Sequence, residues 1–249
     1  MSRYFLEISY KGTGYSGFQV QENAASIQKE VEKAFAIFFR KPAAMTGASR
    51  TDTGVHARQN YFHFDFEENI PPETVYRLNA ILPGDISITA VSQVPEDAHC
   101  RFDAESREYR YYIYNRKNPF LTDRAYFYPY PLDFEALNKA AASLLEFEDF
   151  MSFSKRNTQV NHFRCTVYGS QWVREEQFIY YNIRANRFLR GMVRGLTGTM
   201  LLVGRGQISH SDFLDIIHSK DVTRVNFNVP AKGLFLERVR YPERFNLGI

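Results

Sequence analysis

Two periodicities share this chain, and they alternate irregularly. Residues 3–11 (RYFLEISYK), 59–66 (QNYFHFDF), 86–94 and 106–115 (SREYRYYIYN) read as strands, most of them by alternation of apolar and polar positions. Ile27, Val31, Ala34, Phe35, Phe38 and Phe39 instead recur at helical spacing, which predicts a helix over 26–40. Pro71-Pro72-Glu73 opens a second helix, since proline is tolerated in a first turn. Further on, helices are expected at 133–145, 186–203 and 210–218, and strands at 165–174, 178–184 and 234–241. Strands and helices mix in both halves without regular β–α alternation. That pattern selects an α+β fold: two similar α/β subdomains with mostly antiparallel sheets, helices on one face, and a cleft between them. A boundary near 104–106 divides the chain into 1–104 and 105–249.

Composition narrows the function classes. The 249 residues are 44% hydrophobic and 16% aromatic, enough for a substantial core. No run of eighteen apolar residues is present, so no membrane span is expected. Met1-Ser2-Arg3-Tyr4-Phe5 enters strand-like alternation directly, so no secretory leader is expected and the cytoplasm is the expected compartment. Cys100 and Cys165 form no CxxC pair and read as reduced thiols. The six histidines (His56, His63, His99, His162, His210 and His218) lack metal-binding spacing, so no metal is expected. The loop Gly12-Thr13-Gly14-Tyr15-Ser16-Gly17 lacks the Lys-Ser/Thr of a P-loop and does not open a helix as GxGxxG does, so a nucleotide-phosphate reading of it is weak.

The formal net charge is only +3, but its distribution is uneven. Between Asn182 and Ser211 there is no Asp or Glu, while Arg184, Arg187, Arg190, Arg194 and Arg205 all fall there. A second basic stretch holds Arg101, Arg107, Arg110, Arg116, Lys117 and Arg124. Basic surface interleaved with aromatic residues favours a polyanion, most plausibly a nucleic acid; the plainer alternative is a pair of solvated faces.

Three features carry candidate chemistry. Gly47-Ala48-Ser49-Arg50-Thr51-Asp52-Thr53-Gly54-Val55-His56-Ala57 sets an arginine, a carboxylate and a turn side by side. An Asp held beside an Arg stays ionised in a semi-buried site, because the cation offsets desolvation. It reads as a carboxylate nucleophile or base, or as an ordinary turn capped by Asp. In the 186–203 segment, Leu189, Met192, Val193, Leu196 and Met200 share one helical face, and Gly191, Gly195 and Gly198 lie beside Arg187, Arg190 and Arg194. Each glycine costs a helix about 1 kcal/mol relative to alanine, so three on one side imply close approach of another backbone or a ligand. An arginine there is placed to reach a buried anion, with Asp52 the natural candidate. In the aromatic strand, Tyr109, Tyr111 and Ile113 share one face and Arg110, Tyr112 and Tyr114 the other. Any of these tyrosines is a core ring or a stacking platform, and periodicity does not choose among them.

With these residues in view, the chain resembles the bacterial tRNA pseudouridine synthase A family over nearly its whole length. The resemblance rests on Tyr10-x-Gly12-x-x-Tyr15-x-Gly17-Phe18-Gln19, Ser49 to Ala57, and Asn79 to Ile86. It continues through Phe102-x-Ala104-x-x-Arg107-x-Tyr109-Arg110-Tyr111, Phe188 to Arg194, Lys232 to Leu236, and Tyr241-Pro242. Their order along the chain makes the match specific.

The resemblance implies isomerisation of uridine to pseudouridine at positions 38, 39 and 40 of the tRNA anticodon arm, without cofactor or metal. The N1–C1′ bond breaks, the uracil turns, and C5 rejoins C1′. Asp52 falls on the family's essential aspartate, which either attacks C1′ or abstracts the C2′ proton. Arg50 would assist base flipping. Tyr109 would stack on the uracil as the substrate tyrosine and is a candidate to take the C5 proton, and Arg194 would pair with the aspartate. Ala98, His99, Cys100, Arg101 and Phe102 match a tRNA-contacting segment, and Asn157 to Asn161 match another. That second segment is uncharged here, so its phosphate contacts are expected to be weaker or relocated to Lys155 and Arg156. The family is a homodimer in which one tRNA touches both subunits. Ser49 departs from the glycine usual before the arginine, and a serine there is unstrained only if φ is not positive.

Overall fold

A computed structural model describes residues 1–155, 161–176 and 178–247. In chain order the elements are β1 (Ser2–Tyr10), α1 (Ile27–Phe39), β2 (Thr46–Gly47), β3 (His56–Phe66), α2 (Thr74–Ile81), β4 (Ile86–Val94) and β5 (Ser106–Tyr114). There follow β6 (Tyr126–Phe127), α3 (Phe134–Ser143), β7 (Val167–Arg174), β8 (Ile179–Ala185), α4 (Met192–Gly204), α5 (His210–Ser219) and β9 (Leu234–Arg240). The fold is α+β, with mostly antiparallel pairing, as the mixed periodicities predict. The chain divides into two compact units, Met1–Glu105 with Phe235–Ile249, and Ser106–Leu234.

In the first unit β1 lies between β4 and β3, antiparallel to both. His56 and Ala57 of β3 pair in parallel with Phe235 and Leu236. Both faces of β3 are covered. On one, Phe64 and Phe66 meet Phe35 of α1 at 5.0 and 5.2 Å between ring centroids, and Phe62 stacks on Phe18 at 4.7 Å. On the other, Tyr61 meets Tyr241 edge-on at 5.1 Å. The helix α1 begins where the Ser26 hydroxyl accepts the Lys29 N–H, a cap worth about 1 kcal/mol, and buries Ile27, Val31, Ala34 and Phe35 on its inner face.

In the second unit β8 lies between β5 and β7, antiparallel to both, and β6 pairs in parallel with β5. Tyr181 and Trp172 pack with their rings tilted, 5.3 Å apart, in a core with Tyr111, Leu137 and Ala140 of α3, and Leu196 and Met200 of α4. Capping is explicit at α5, where the Ser209 hydroxyl accepts the Asp212 N–H and the Asp212 carboxylate accepts the Ser209 N–H.

One helix boundary differs from the periodicity. The helix expected over 186–203 starts at Met192 as α4. Asn186 Oδ1 accepts the N–H groups of both Thr166 and Arg187, which ties that end into a turn. Gly191 then takes a left-handed φ of 76°. Arg187 and Arg190 therefore precede the helix, and of the three only Arg194 belongs to it. The helical wheel carried the apolar pattern of Phe188 and Leu189 past a turn. The close approach inferred from the glycines is present: a Cβ on Gly198 would stand 2.2 Å from the Asn226 carbonyl oxygen, and one on Gly195 would stand 2.8 Å from Phe227. What approaches is the connection between α5 and β9.

Candidate active site

The Asp52 loop hangs between β2 and β3. The Ala48 N–H donates to the Tyr61 carbonyl at 2.8 Å, which prolongs the β2–β3 pairing. Side chains then alternate: Ser49 and Thr51 are buried and Arg50 is exposed between them. Ser49 keeps φ out of the left-handed region, so the serine is unstrained there. Asp52 is half-buried. Its carbonyl accepts the Val55 N–H at 3.1 Å, closing a turn in which Gly54 has φ 77°. Thr51 is fixed from the other side, its carbonyl accepting the Phe18 N–H at 3.1 Å. After the turn, the Gly12 N–H donates to His56 Nδ1 at 3.1 Å, which assigns the ring proton to Nε2. Gly12 is required here: a Cβ would lie 2.0 Å from the Val55 carbonyl oxygen. His56 is buried and stacks on Phe235 at 4.5 Å, so it supports the loop.

A polar group inside β3 also reaches this loop. Asn60 is fully buried. Its Oδ1 accepts the Tyr61 N–H at 2.9 Å, so its NH2 faces the Ser49 carbonyl at 2.9 Å and the Tyr10 hydroxyl at 3.3 Å. The Tyr10 hydroxyl lies 2.8 Å from Thr51 Oγ1. Sequence reasoning passed over Asn60, yet it left a signal: an amide where Phe62, Phe64 and Phe66 continue the same strand face.

A pocket of about 190 Å³ opens beside the loop, with Arg50, Gln19, His99, Arg101 and Phe102 in its wall. The structure thus gathers Arg50 and the outward half of the 98–102 segment. Arg50 Nη1 lies 3.5 Å from Gln19 Oε1. Phe102 is 73% exposed, with the Arg101 guanidinium over its ring and the His99 ring 4.2 Å away. Ala98 and Cys100 point inward instead. The Ala98 carbonyl accepts from Arg3 Nη1 at 3.0 Å, and Cys100 Sγ donates to the Thr46 carbonyl at 3.1 Å. The Cys100 N–H donates to His63 Nδ1 at 3.4 Å. Burial pushes His63 down to about 4, helped by the neighbouring His99 and Arg3, while Asp65 and Asp103 oppose the shift. Burial also lowers His99.

The second unit carries the other named residues. Among the four tyrosines of β5, Tyr111, Tyr112 and Tyr114 are buried and Tyr109 is half-buried, its ring edge-on to Phe188 at 5.0 Å. The Tyr111 hydroxyl is spent on the Pro230 carbonyl at 2.7 Å. Arg194, in the first turn of α4, donates from Nε and Nη2 to the Val229 carbonyl at 2.9 and 2.7 Å. Two other arginines of the acid-free run lie over rings, Arg184 over Tyr168 and Arg205 over Tyr130. In the segment expected to contact RNA with Lys155 and Arg156, residues 156–160 lie outside the described residues.

The chemistry these positions offer is that of a carboxylate on a braced loop, with cations and an exposed ring in the same unit. A family model described as tRNA pseudouridine synthase matches residues 140–242. The tRNA pseudouridine synthase A of Bacteroides fragilis is 44% identical over 246 residues, 98% of either chain. That of Parabacteroides distasonis is 43% identical over 246 residues, 98% of this chain and 97% of the relative. The Staphylococcus aureus protein of that name is 36% identical over 244 residues, 97% of this chain and 92% of the relative. The chain belongs to the tRNA pseudouridine synthase A family.

Proposed function

We infer that this protein isomerises uridine to pseudouridine in tRNA, at positions 38, 39 and 40 of the anticodon stem-loop. The observation that carries the reaction is family membership over 98% of the chain. The reaction is balanced within one nucleotide: the N1–C1′ bond breaks, a C5–C1′ bond forms, C5 loses its proton and N1 gains one. Asp52 is assigned as the carboxylate that acts at the sugar, either as nucleophile at C1′ or as base at C2′. Its half-buried position on a turn held at both ends supports that role.

A stacked uridine has to leave the helix to meet a carboxylate, at a cost of a few kcal/mol. Arg50, exposed beside Asp52, is assigned to the flip. His99, Arg101 and Phe102 are assigned to the RNA, with Ala98 and Cys100 as the inward residues that hold them. Tyr109 is assigned as the platform under the uracil, a stack worth about 1–3 kcal/mol, and its partial exposure among buried tyrosines favours it. Arg194 is assigned to the substrate site as the partner of Asp52, on the family resemblance. A homodimer sharing each tRNA, in the cytoplasm and without cofactor or metal, completes the reading; no helix among the described residues is long and apolar enough to cross a membrane.

The test is a pseudouridine map of tRNA from cells lacking the protein. Wild type is expected to restore the modification at 38, 39 and 40, and Asp52→Ala to restore none. Restoration elsewhere in the tRNA would remove the site assignment, and equal restoration by both proteins would remove the role of Asp52. Arg194→Ala is expected to lower turnover by about a hundred-fold or more while sparing tRNA affinity. A loss of affinity as large as the loss of activity would place Arg194 on phosphate instead.

A further inference from the structure

We propose that Tyr10 and Asn60 are positioning residues for the reaction: with the Thr51 hydroxyl they form a buried relay that sets where the Asp52 carboxylate stands. The inference rests on the reading of Asp52 as the reacting carboxylate.

The relay is anchored at Asn60. Asn60 Oδ1 is occupied by the Tyr61 N–H, so only the amide NH2 is available to the Ser49 carbonyl and the Tyr10 hydroxyl. The Tyr10 hydroxyl, accepting from Asn60, meets Thr51 Oγ1 at 2.8 Å, where either oxygen can donate. Asn60, Tyr10 and Thr51 are all buried, so water does not replace a missing member at no cost. The contacts fall on residues 49 and 51, which leaves Arg50 free to project outward between two fixed points. Asp52 follows Thr51 directly, one peptide link of about 3.8 Å away. Its own carbonyl is held by Val55, and Gly12, two residues after Tyr10, holds His56. The end of β1 therefore grips the loop on both sides of the carboxylate. A reacting group has to stand within a fraction of an ångström of its productive position, and displacement by about 1 Å costs roughly a hundred-fold in rate.

The test uses full-length protein and tRNA carrying tritium at uridine C5, with enzyme in excess so that one turnover is read, together with tRNA affinity and a thermal unfolding midpoint. Tyr10→Phe keeps the ring and removes the hydroxyl; Thr51→Val keeps the shape and removes its hydroxyl; Thr51→Ser keeps the hydroxyl. Tyr10→Phe and Thr51→Val are each expected to slow tritium release about ten- to a hundred-fold with affinity within about two-fold of wild type. The pair together should lose no more than the worse single variant, because both remove one hydrogen bond. Thr51→Ser should recover most of the rate. Full rate in Tyr10→Phe and Thr51→Val while Asp52→Ala is inactive would overturn the relay alone. Activity in Asp52→Ala would overturn the underlying reading and the relay with it. Loss of affinity in parallel with rate, or a slow Thr51→Ser, would reduce the relay to fold maintenance and overturn it as well.

Discussion

Two loops of the first unit are tied to the same strand by buried polar side chains, and the two ties differ in kind. The Asp52 loop is held by Asn60, an amide that does not titrate. The 98–103 loop is held by His63, an imidazole from the opposite face of β3. Around Asp52 the side chains alternate inward and outward; Ser49 is held through its carbonyl by Asn60 and Thr51 through its hydroxyl by Tyr10. Around Phe102 the inward residues Ala98 and Cys100 are fixed, while Arg101 and Phe102 project outward against each other. On the proposed reading, the first loop places the Asp52 carboxylate within a narrow tolerance, and the second presents a cation and a ring to the RNA. Rate is therefore expected to depend on the first loop and affinity on the second.

The sharpest challenge to that division is Gly12→Ala. Its Cβ would stand 2.0 Å from the Val55 carbonyl oxygen, so the far end of the Asp52 turn has to move. Activity is expected to fall by about a hundred-fold or more, checked by tritium release at saturating tRNA on protein shown to be folded by circular dichroism. Replacing both Arg101 and Phe102 by alanine should act oppositely, weakening tRNA binding about ten- to a hundred-fold with the saturated rate retained. Binding isotherms at several salt concentrations check it, and the salt dependence should become shallower by about one ion for a lost phosphate contact.

The smallest effect separates the two ties by pH. With His63 at about 4 in the folded protein against an unperturbed value near 6.5, the unfolded chain binds the extra proton first as pH falls. Stability should therefore decline between about pH 6.5 and 4, by about 1–2 kcal/mol at pH 5, and His99, also lowered, acts in the same direction. His63→Asn, which retains an acceptor for the Cys100 N–H, should flatten that decline. Thermal midpoints of the two proteins from pH 7.5 to 5 check it, and an unchanged slope in the variant would remove His63 as its source.

The sequence made the elements legible where one period held for a full element. β1, β4, β5 and α1 fall within a residue or two of their predicted bounds because alternation or helical spacing ran uninterrupted. β3 begins at His56 rather than Gln59, because its first residues gain pairing from Phe235 and Leu236, distant in sequence. The start of α4 was hidden for a local reason: Phe188 and Leu189 extend the apolar spacing through a turn that Asn186 and Gly191 close. Asp52 and Arg50 were visible as a motif. What braces them was not, since Tyr10, Thr51 and Asn60 meet only after β1 and β3 have paired. Tyr109 stood level with three other tyrosines until burial separated them.

The central claim is that a carboxylate on the braced loop performs the isomerisation. Its most direct measurement is tritium release from C5-labelled uridine in tRNA by purified wild-type and Asp52→Ala protein at saturating enzyme, with affinity measured alongside. Release by wild type, none by Asp52→Ala and equal affinity for both is the predicted result. Equal release by the two proteins, or no release by wild type from uridines 38, 39 and 40, would contradict it.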